Sequence, residues 1–279
     1  MKVIRDIHQM QRLSEDLRKK GKTLAFVPTL GALHEGHFSL IHRARKKGDM
    51  VILSIFLNPI QFSDPMDLKN YPKSMRRDLH QAQNHHVDIV FCPSEKQMYS
   101  KDFSTYIVEE NLSKDLCGQS RPGHFRGVTT VVAKLFNIVK PHIALFGQKD
   151  AQQAIIIQRM VRDLSWDIEI KVASILRDRD GLAYSSRNIH LSPEEREQAL
   201  ALNEALFLAK IMAKGGEKNS SKIIQKIKKV IRAKPLAKVD YVEIVDAQTL
   251  EKVKTIEGKV LIALAIYIGK TRLIDNLII

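Results

Sequence analysis

Short, nearly wholly apolar runs, separated by longer amphipathic stretches, limit this chain to very few folds. Residues 24–27, 49–56, 87–91, 143–146 and 167–174 read as strands, and residues 38–47, 75–86, 127–139 and 148–163 read as helices between them. A strand buried on both faces of a parallel sheet shows this near-continuous apolar character. Strands that alternate with helices form a doubly wound α/β sheet, which binds ligands at the carboxyl ends of its strands. Unusual polar clusters fall at such ends: after Val27, after Phe56 and after Phe146.

Past Leu176 the pattern changes. Helical stretches at 193–213 and 220–233, joined by Lys214-Gly215-Gly216, precede two apolar runs at 239–245 and 260–268. These runs are expected to be antiparallel strands. The expected division is a Rossmann-like catalytic domain over residues 1–176 and a smaller α+β domain over 177–279 that closes over the site. A chain of 279 residues is long enough for both.

Composition narrows the setting. The two cysteines, Cys92 and Cys117, form no CxxC pair and no disulfide framework, which suits a reducing, cytoplasmic location. The first residues lack the apolar core of a signal peptide. The run at 260–268 is too short to span a bilayer, so no membrane partner is expected. A formal charge of +14 raises the prospect of a polyanionic partner. Many lysines, however, recur every fourth residue at Lys210, Lys214, Lys218, Lys222 and Lys226, with Ile223, Ile224, Ile227, Val230 and Ile231 on another face. That is the pattern of a solvated lysine face. No aromatic residues interleave to stack on bases, and no nucleic-acid partner is expected.

Four clusters carry possible chemistry. Thr29-Leu30-Gly31-Ala32-Leu33-His34-Glu35-Gly36-His37 follows the first apolar run and opens a helix. A helix N-terminus offers free N–H groups and a partial positive charge, both suited to phosphate. Asn58-Pro59-Ile60-Gln61-Phe62 is either a simple Asn-Pro turn or a source of neutral amide donors. Gly147-Gln148-Lys149-Asp150, followed by Gln153 near the same helix face, is either an ordinary helix start or a source of a phosphate-directed cation. Tyr184-Ser185-Ser186-Arg187-Asn188 is either a capping loop at the junction or a triphosphate clasp that closes over a ligand. The arginines of Arg121-Pro122-Gly123-His124-Phe125-Arg126-Gly127-Val128 are either catalytic or solvated.

Taken together and in this order, these strings resemble the pantoate–β-alanine ligase family over nearly the whole chain. The resemblance includes Gly123 to Val128 and Thr271-Arg272-Leu273-Ile274-Asp275-Asn276. The two-histidine and Ser-Ser-Arg signatures are more distantly similar to the HxGH nucleotidyltransferase and class I aminoacyl-tRNA synthetase superfamily. The resemblance implies ATP-dependent condensation of pantoate with β-alanine, through a pantoyl adenylate, with release of AMP and pyrophosphate. It also implies a homodimer and Mg²⁺ that arrives with ATP, for which Asp150 is the one candidate protein ligand.

By the same resemblance, Leu30, Gly31, Ala32, Leu33, His34, Glu35, Gly36 and His37 bind ATP, as do Gly147, Gln148, Lys149 and Asp150. Leu176, Tyr184, Ser185, Ser186 and Arg187 complete that set. His34, His37, Lys149 and Arg187 are the expected catalytic groups, because negative charge develops on departing pyrophosphate. The resemblance also makes His37 a proton donor. The helix start disfavours its cation, so its assigned role is phosphate binding through a neutral N–H. Gln61 and Gln153 bind pantoate, and Gln61 is also placed to meet β-alanine. Leu30, Ile60 and Tyr184 depart from the residues common in the family. Two rival readings stay open: a nucleotidylyltransferase acting on a phosphorylated substrate, and an RNA-binding protein.

Overall fold

Six parallel strands form the central sheet: β1 (Lys2–Ile4), β2 (Leu24–Thr29), β3 (Met50–Ile55), β4 (Ile89–Phe91), β5 (Ile143–Gly147) and β6 (Glu169–Ala173). Their order is β1-β4-β3-β2-β5-β6 in the computed structural model, which describes residues 1–279. From β2 the chain builds outward through β3 and β4, then returns to place β5 on the other side of β2. The crevice at the carboxyl ends of β2 and β5 is therefore the topological switch point, where such sheets bind ligands.

Eight helices accompany this sheet: α1 (Ile7–Lys19), α2 (Glu35–Arg45), α3 (Pro65–Asn70), α4 (Met75–Asn84), α5 (Glu95–Met98), α6 (Cys117–Ser120), α7 (His124–Val139) and α8 (Ala151–Asp163). The period-two alternation of β2 decides which layer each residue joins. Leu24 and Phe26 pack with Met10 of α1, Phe136 of α7 and Ile157 of α8. Ala25 and Val27 pack with Phe38 and Ile41 of α2 and Ala82 of α4 on the opposite face. Helices on both faces make this the doubly wound fold expected from the apolar runs.

Beyond β6 come α9 (Pro193–Ala199), α10 (Ala201–Lys214) and α11 (Ser220–Arg232), then β7 (Ala237–Asp246), β8 (Val260–Ile268) and β9 (Thr271–Ile278). The three strands form an antiparallel sheet in the order β7-β8-β9. Central β8 is apolar on both faces for a reason. Ile262, Leu264 and Ile266 pack on α10 and α11, whereas Leu261 and Ala263 join the core of the parallel-sheet layer.

Several expectations need correction. No element was anticipated before residue 24, yet β1 and α1 lie there. β1 has only three residues, and α1 buries only Met10 and Ser14, so its apolar signal is sparse. The third strand of the smaller sheet, β9, was missed because Arg272, Asp275 and Asn276 interrupt its apolar pattern. The expected helix at 193–213 divides at Leu200, whose N–H reaches Glu197 O in a tight turn. The lysine series does not lie on one helix: Lys210 and Lys214 belong to α10, Lys222 and Lys226 to α11, and the turn containing Gly216 (φ +91°) parts them.

The polar residues of β9 tie the two sheets together. The guanidinium of Arg177, just past β6, donates to both Asp275 carboxylate oxygens at 2.6 and 2.9 Å. Asp275 is only 1% exposed, so Arg177 is the cation that offsets burial of its charge. Breaking a buried pair from one side leaves a desolvated charge. Arg177→Met is expected to reduce unfolding stability by about 3 kcal/mol. Adding Asp275→Leu should restore part of that loss, which urea titration of the single and double variants will measure.

Candidate active site

The turn from β2 into α2 is held by its own polar groups. Gly31 (φ +91°) and Ala32 (φ +51°) take left-handed conformations, which reverse the chain. The carboxylate of Asp78, buried on α4, accepts the N–H groups of Ala32 and Leu33, each at 2.9 Å. His34 is the N-cap of α2. Its Nδ1 accepts the N–H of Gly36 at 3.1 Å, while Nδ1 of His37 accepts the N–H of His34 at 3.3 Å. Each imidazole thus uses Nδ1 as an acceptor and keeps Nε2–H as its donor. Gly36 makes this possible, because a Cβ there would stand 2.9 Å from Cε1 of His34.

The electrostatics agree with neutral rings. Burial lowers the pKa of His34 to about 4, and nearby Lys149 adds to the shift. Burial also holds His37 well below its ordinary value, with further repulsion from His34 and Lys149. The ring centroids are 4.1 Å apart, so two imidazolium charges would repel strongly. The helix start was expected to present free backbone N–H groups. Instead the N–H groups of His34 and Gly36 are capped by the imidazoles, which leaves the Nε2–H groups as the directional donors.

The Asn58 to Phe62 segment is more than a simple turn. Asn58 is fully buried. Its Nδ2 donates to Gln61 Oε1 at 2.9 Å and to Gly127 O at 3.1 Å, and its Oδ1 accepts from the Tyr99 hydroxyl at 2.7 Å. With its oxygen so occupied, the Gln61 amide is left with its NH₂ as the free donor. Close approach of α7 sets this arrangement: a Cβ on Gly127 would lie 2.4 Å from Ile60 O.

After β5, Gln148–Asp150 form a 3₁₀ turn instead of the first turn of the expected helix. Asn276 of β9 explains the difference. Its Nδ2 donates to the carbonyls of Gln148 at 2.8 Å and Lys149 at 3.0 Å, while its Oδ1 accepts from Gln148 Nε2 at 3.2 Å. Lys149 Nζ contacts the Asp150 carboxylate at 3.2 Å. Burial pushes the Asp150 carboxyl up, but Lys149 and then Arg187 outweigh it and hold the group below its usual value.

The Ser185 to Asn188 segment faces these groups. Ser185 Oγ accepts the Arg187 N–H, the Ser186 hydroxyl donates to Tyr71 Oη at 3.2 Å, and Arg187 pairs with Asp67 at 2.7 Å. Tyr184 sends its hydroxyl to Asp178, at 3.3 Å, and lies near-parallel to His34 with centroids 6.3 Å apart. The Tyr184 ring therefore flanks the His34 ring, and its hydroxyl is directed to Asp178.

Two adjoining cavities result. The smaller, of about 230 Å³, brings together Leu30, His34, Gly36, His37, Gln61, Gly147, Lys149, Asp150, Gln153, Leu176 and the Tyr184 to Arg187 segment. Its apolar floor includes Val128, Val131 and Val132 of α7. The larger, of about 1150 Å³, shares Lys149, Gln153, Arg187, Arg121 and His124 with it and extends along β9. Gly31, Ala32, Leu33, Glu35 and Gln148 do not line the smaller cavity. Gly31 to Leu33 shape the turn, Leu33 is core, Glu35 faces solvent, and Gln148 is engaged by Asn276. Neutral imidazole donors, a lysine, serine hydroxyls and an arginine so grouped suit a polyphosphate whose charge rises during reaction.

The family model described as pantoate-beta-alanine ligase matches residues 2–278. The chain belongs to this family. It is 54% identical over 279 residues to the pantothenate synthetase of Pseudothermotoga lettingae, covering 100% of this chain and 99% of that protein. The crystal structure of pantothenate synthetase from Thermus thermophilus superposes with a TM-score of 0.93 at 38% identity, over 99% of both chains. The pantoate-beta-alanine ligase from Francisella tularensis, solved with beta-gamma ATP and beta-alanine, superposes with a TM-score of 0.81 at 36% identity. It covers 99% of this chain and 97% of that one.

Asp67, Tyr71, Asp78 and Asn276 also shape this ligase-family site, although no local pattern gave any of them a role there. Asp78 sits in a helix whose other polar residues are mostly exposed, so only the fold reveals its bond to the β2–α2 turn. Asn276 lay within a recognised string, but its partner is 128 residues away.

Two measurements test this geometry. Gly36→Ala pushes the His34 imidazole out of place and is expected to reduce turnover on the order of tenfold or more, with the melting temperature nearly unchanged. His34 and His124 both have pKa values lowered from 6.5 to about 4, chiefly by burial. Between those limits the unfolded chain binds more protons than the native one, so stability falls as pH drops through this window. Urea midpoints at pH 7, 6 and 5 should show that fall, and a His34→Gln, His124→Gln variant should show a shallower one.

Proposed function

We propose that this chain joins pantoate to β-alanine, consuming ATP as its magnesium complex and releasing AMP and pyrophosphate. The observation that carries this reading is a neutral-donor histidine pair and Lys149 beside a small, apolar-floored cavity bearing the Gln61 and Gln153 amides. In the first step a pantoate carboxylate oxygen attacks the α-phosphorus, and the bond to the pyrophosphate oxygen breaks. In the second the amine of β-alanine attacks the activated carbonyl. A C–N bond forms, AMP leaves, and the amine loses a proton.

Roles follow from chemistry. His34 and His37 offer Nε2–H donors to the phosphates, so neither needs to carry a proton in reserve. Lys149, Ser185, Ser186 and Arg187 complete the pyrophosphate contacts, and Leu176 with the Gly147 end of β5 meets the adenosine portion. Gln61 and Gln153 bind the hydroxyls and carboxylate of pantoate without a cation that would blunt its nucleophilicity. The valines of α7 suit its paired methyl groups. An amide-lined wall also argues against a phosphorylated acceptor.

No group of three or more His, Cys, Asp or Glu side chains is arranged to hold a metal. Under this proposal magnesium enters as part of the nucleotide substrate, held largely by phosphate oxygens. Asp150, already paired with Lys149, contributes at most one ligand. The same proposal divides the chain into a catalytic unit, residues 1–176, and a closing unit, residues 177–279. It takes the protein to be a homodimer in the cytoplasm, as the family resemblance suggests. No helix is long and apolar enough to cross a membrane.

AMP formation is expected to require ATP, pantoate and β-alanine together; formation independent of β-alanine sinks the proposal. Lys149→Ala and His37→Ala should each lower turnover by more than about tenfold while the circular dichroism spectrum is retained. Near-normal turnover in either variant would remove that residue from the pyrophosphate contacts.

A further inference from the structure

Three cations, Lys149, Arg187 and Arg121, line both cavities and a fourth, Arg272, lines the larger; all but Arg121 have a carboxylate of their own. Lys149 contacts Asp150 at 3.2 Å, Arg187 contacts Asp67 at 2.7 Å, and Arg272 contacts Asp240 at 2.8 Å. Arg121 reaches only the Asp67 oxygen already taken by Arg187, at 3.5 Å. Its side chain is 17% exposed and lines both cavities. A largely desolvated guanidinium without a close counter-ion is costly, and an anionic ligand relieves that cost.

Arg121 is also aimed. The Nδ1–H of buried His124 donates to the carbonyl of Gln61 at 2.8 Å, which leaves Nε2 as an acceptor. Arg121 Nη1 donates to that Nε2 at 3.4 Å. A neutral ring is needed for this relay, and burial together with Arg121 itself keeps His124 neutral. The relay fixes the guanidinium to the segment that carries Gln61, at the mouth of the amide-lined cavity, and leaves its remaining N–H donors free.

We propose that Arg121 binds the carboxylate of the amine substrate and that His124 is its positioning residue. This inference rests on the ligase reading. Under that reading β-alanine must present its amine to the pantoyl carbonyl while its other end carries a full negative charge. None of the groups assigned to pantoate or to the nucleotide answers that charge. A guanidinium held beside Gln61 does so, and it distinguishes β-alanine from an amine that lacks a carboxylate. Asp67 stays with Arg187, so the substrate carboxylate replaces only the long 3.5 Å contact.

The test compares steady-state constants for Arg121→Met, Arg121→Lys and His124→Phe with the unaltered protein. Losing a charge-assisted pair should raise the KM for β-alanine about 30-fold in Arg121→Met. The KM values for ATP and pantoate should change by less than about threefold in that variant. Preference for β-alanine over 3-amino-1-propanol, an uncharged amine, should collapse by a similar factor. Arg121→Lys, which keeps the charge but loses the fork, should show a smaller rise and decides the matter if Arg121→Met does not fold. His124→Phe should raise the β-alanine KM less than Arg121→Met, a selective effect that mere loss of stability would not produce.

An unchanged β-alanine KM and amine preference overturns the assignment. A rise confined to the ATP KM also overturns it and places Arg121 on the phosphates. Failure of the ligase reading looks different: the unaltered protein would then form no AMP from ATP, pantoate and β-alanine.

Discussion

The site depends on how α2 begins. Two imidazoles fold back onto the first turn of their own helix, His34 accepting the Gly36 N–H and His37 accepting the His34 N–H. This reciprocal capping satisfies backbone donors that would otherwise be orphaned. It also sets the tautomer of both rings. Desolvation then keeps the rings neutral, so the pair can donate hydrogen bonds without two adjacent positive charges. The left-handed pair Gly31 and Ala32, the Asp78 carboxylate beneath them, and the absence of a side chain at Gly36 are all conditions for that one arrangement.

A second arrangement depends on the smaller sheet. Asp275 and Asn276 are adjacent on β9 and both are buried. One neutralises Arg177, and the other engages the carbonyls of Gln148 and Lys149. The turn that carries Lys149 is thus held from the other end of the chain. The smaller sheet contributes no side chain to the cluster proposed to meet the phosphates, yet it sets the backbone from which Lys149 projects. A similar economy governs Gln61, whose amide is oriented by Asn58 and whose carbonyl is held by His124.

Much of this was legible in the chain. Continuous apolar runs marked β2, β3 and β5 because strands buried on both faces have no polar side to show. The polar clusters after them marked the site because the carboxyl ends of parallel strands open to solvent. His34, His37, Gln61, Lys149, Gln153 and Arg187 were all picked out, and they line one cavity. Short edge strand β1, sparse helix α1 and polar-interrupted β9 gave weak signals, since each hides little apolar surface or hides polar surface with it. Asp67 and Asp78 gave none, and Asn276, though inside a recognised string, gave no sign of its partner, because a residue type and a local pattern do not reveal a group far along the chain.

The sequence by itself determined the layers, the class of chemistry and the residue types proposed to deliver it. Those follow from local periodicity and from motifs confined to a few neighbouring positions. Only the tertiary structure decided which groups are already engaged and which are free to meet a ligand. It placed the helix-start N–H groups under the imidazoles, committed Asn58 to Gln61, turned the Tyr184 hydroxyl toward Asp178, and left Arg121 short of a counter-ion. The physical reason is that hydrogen-bond and charge satisfaction is a property of three-dimensional neighbours, and the cost of leaving either incomplete arises only on burial.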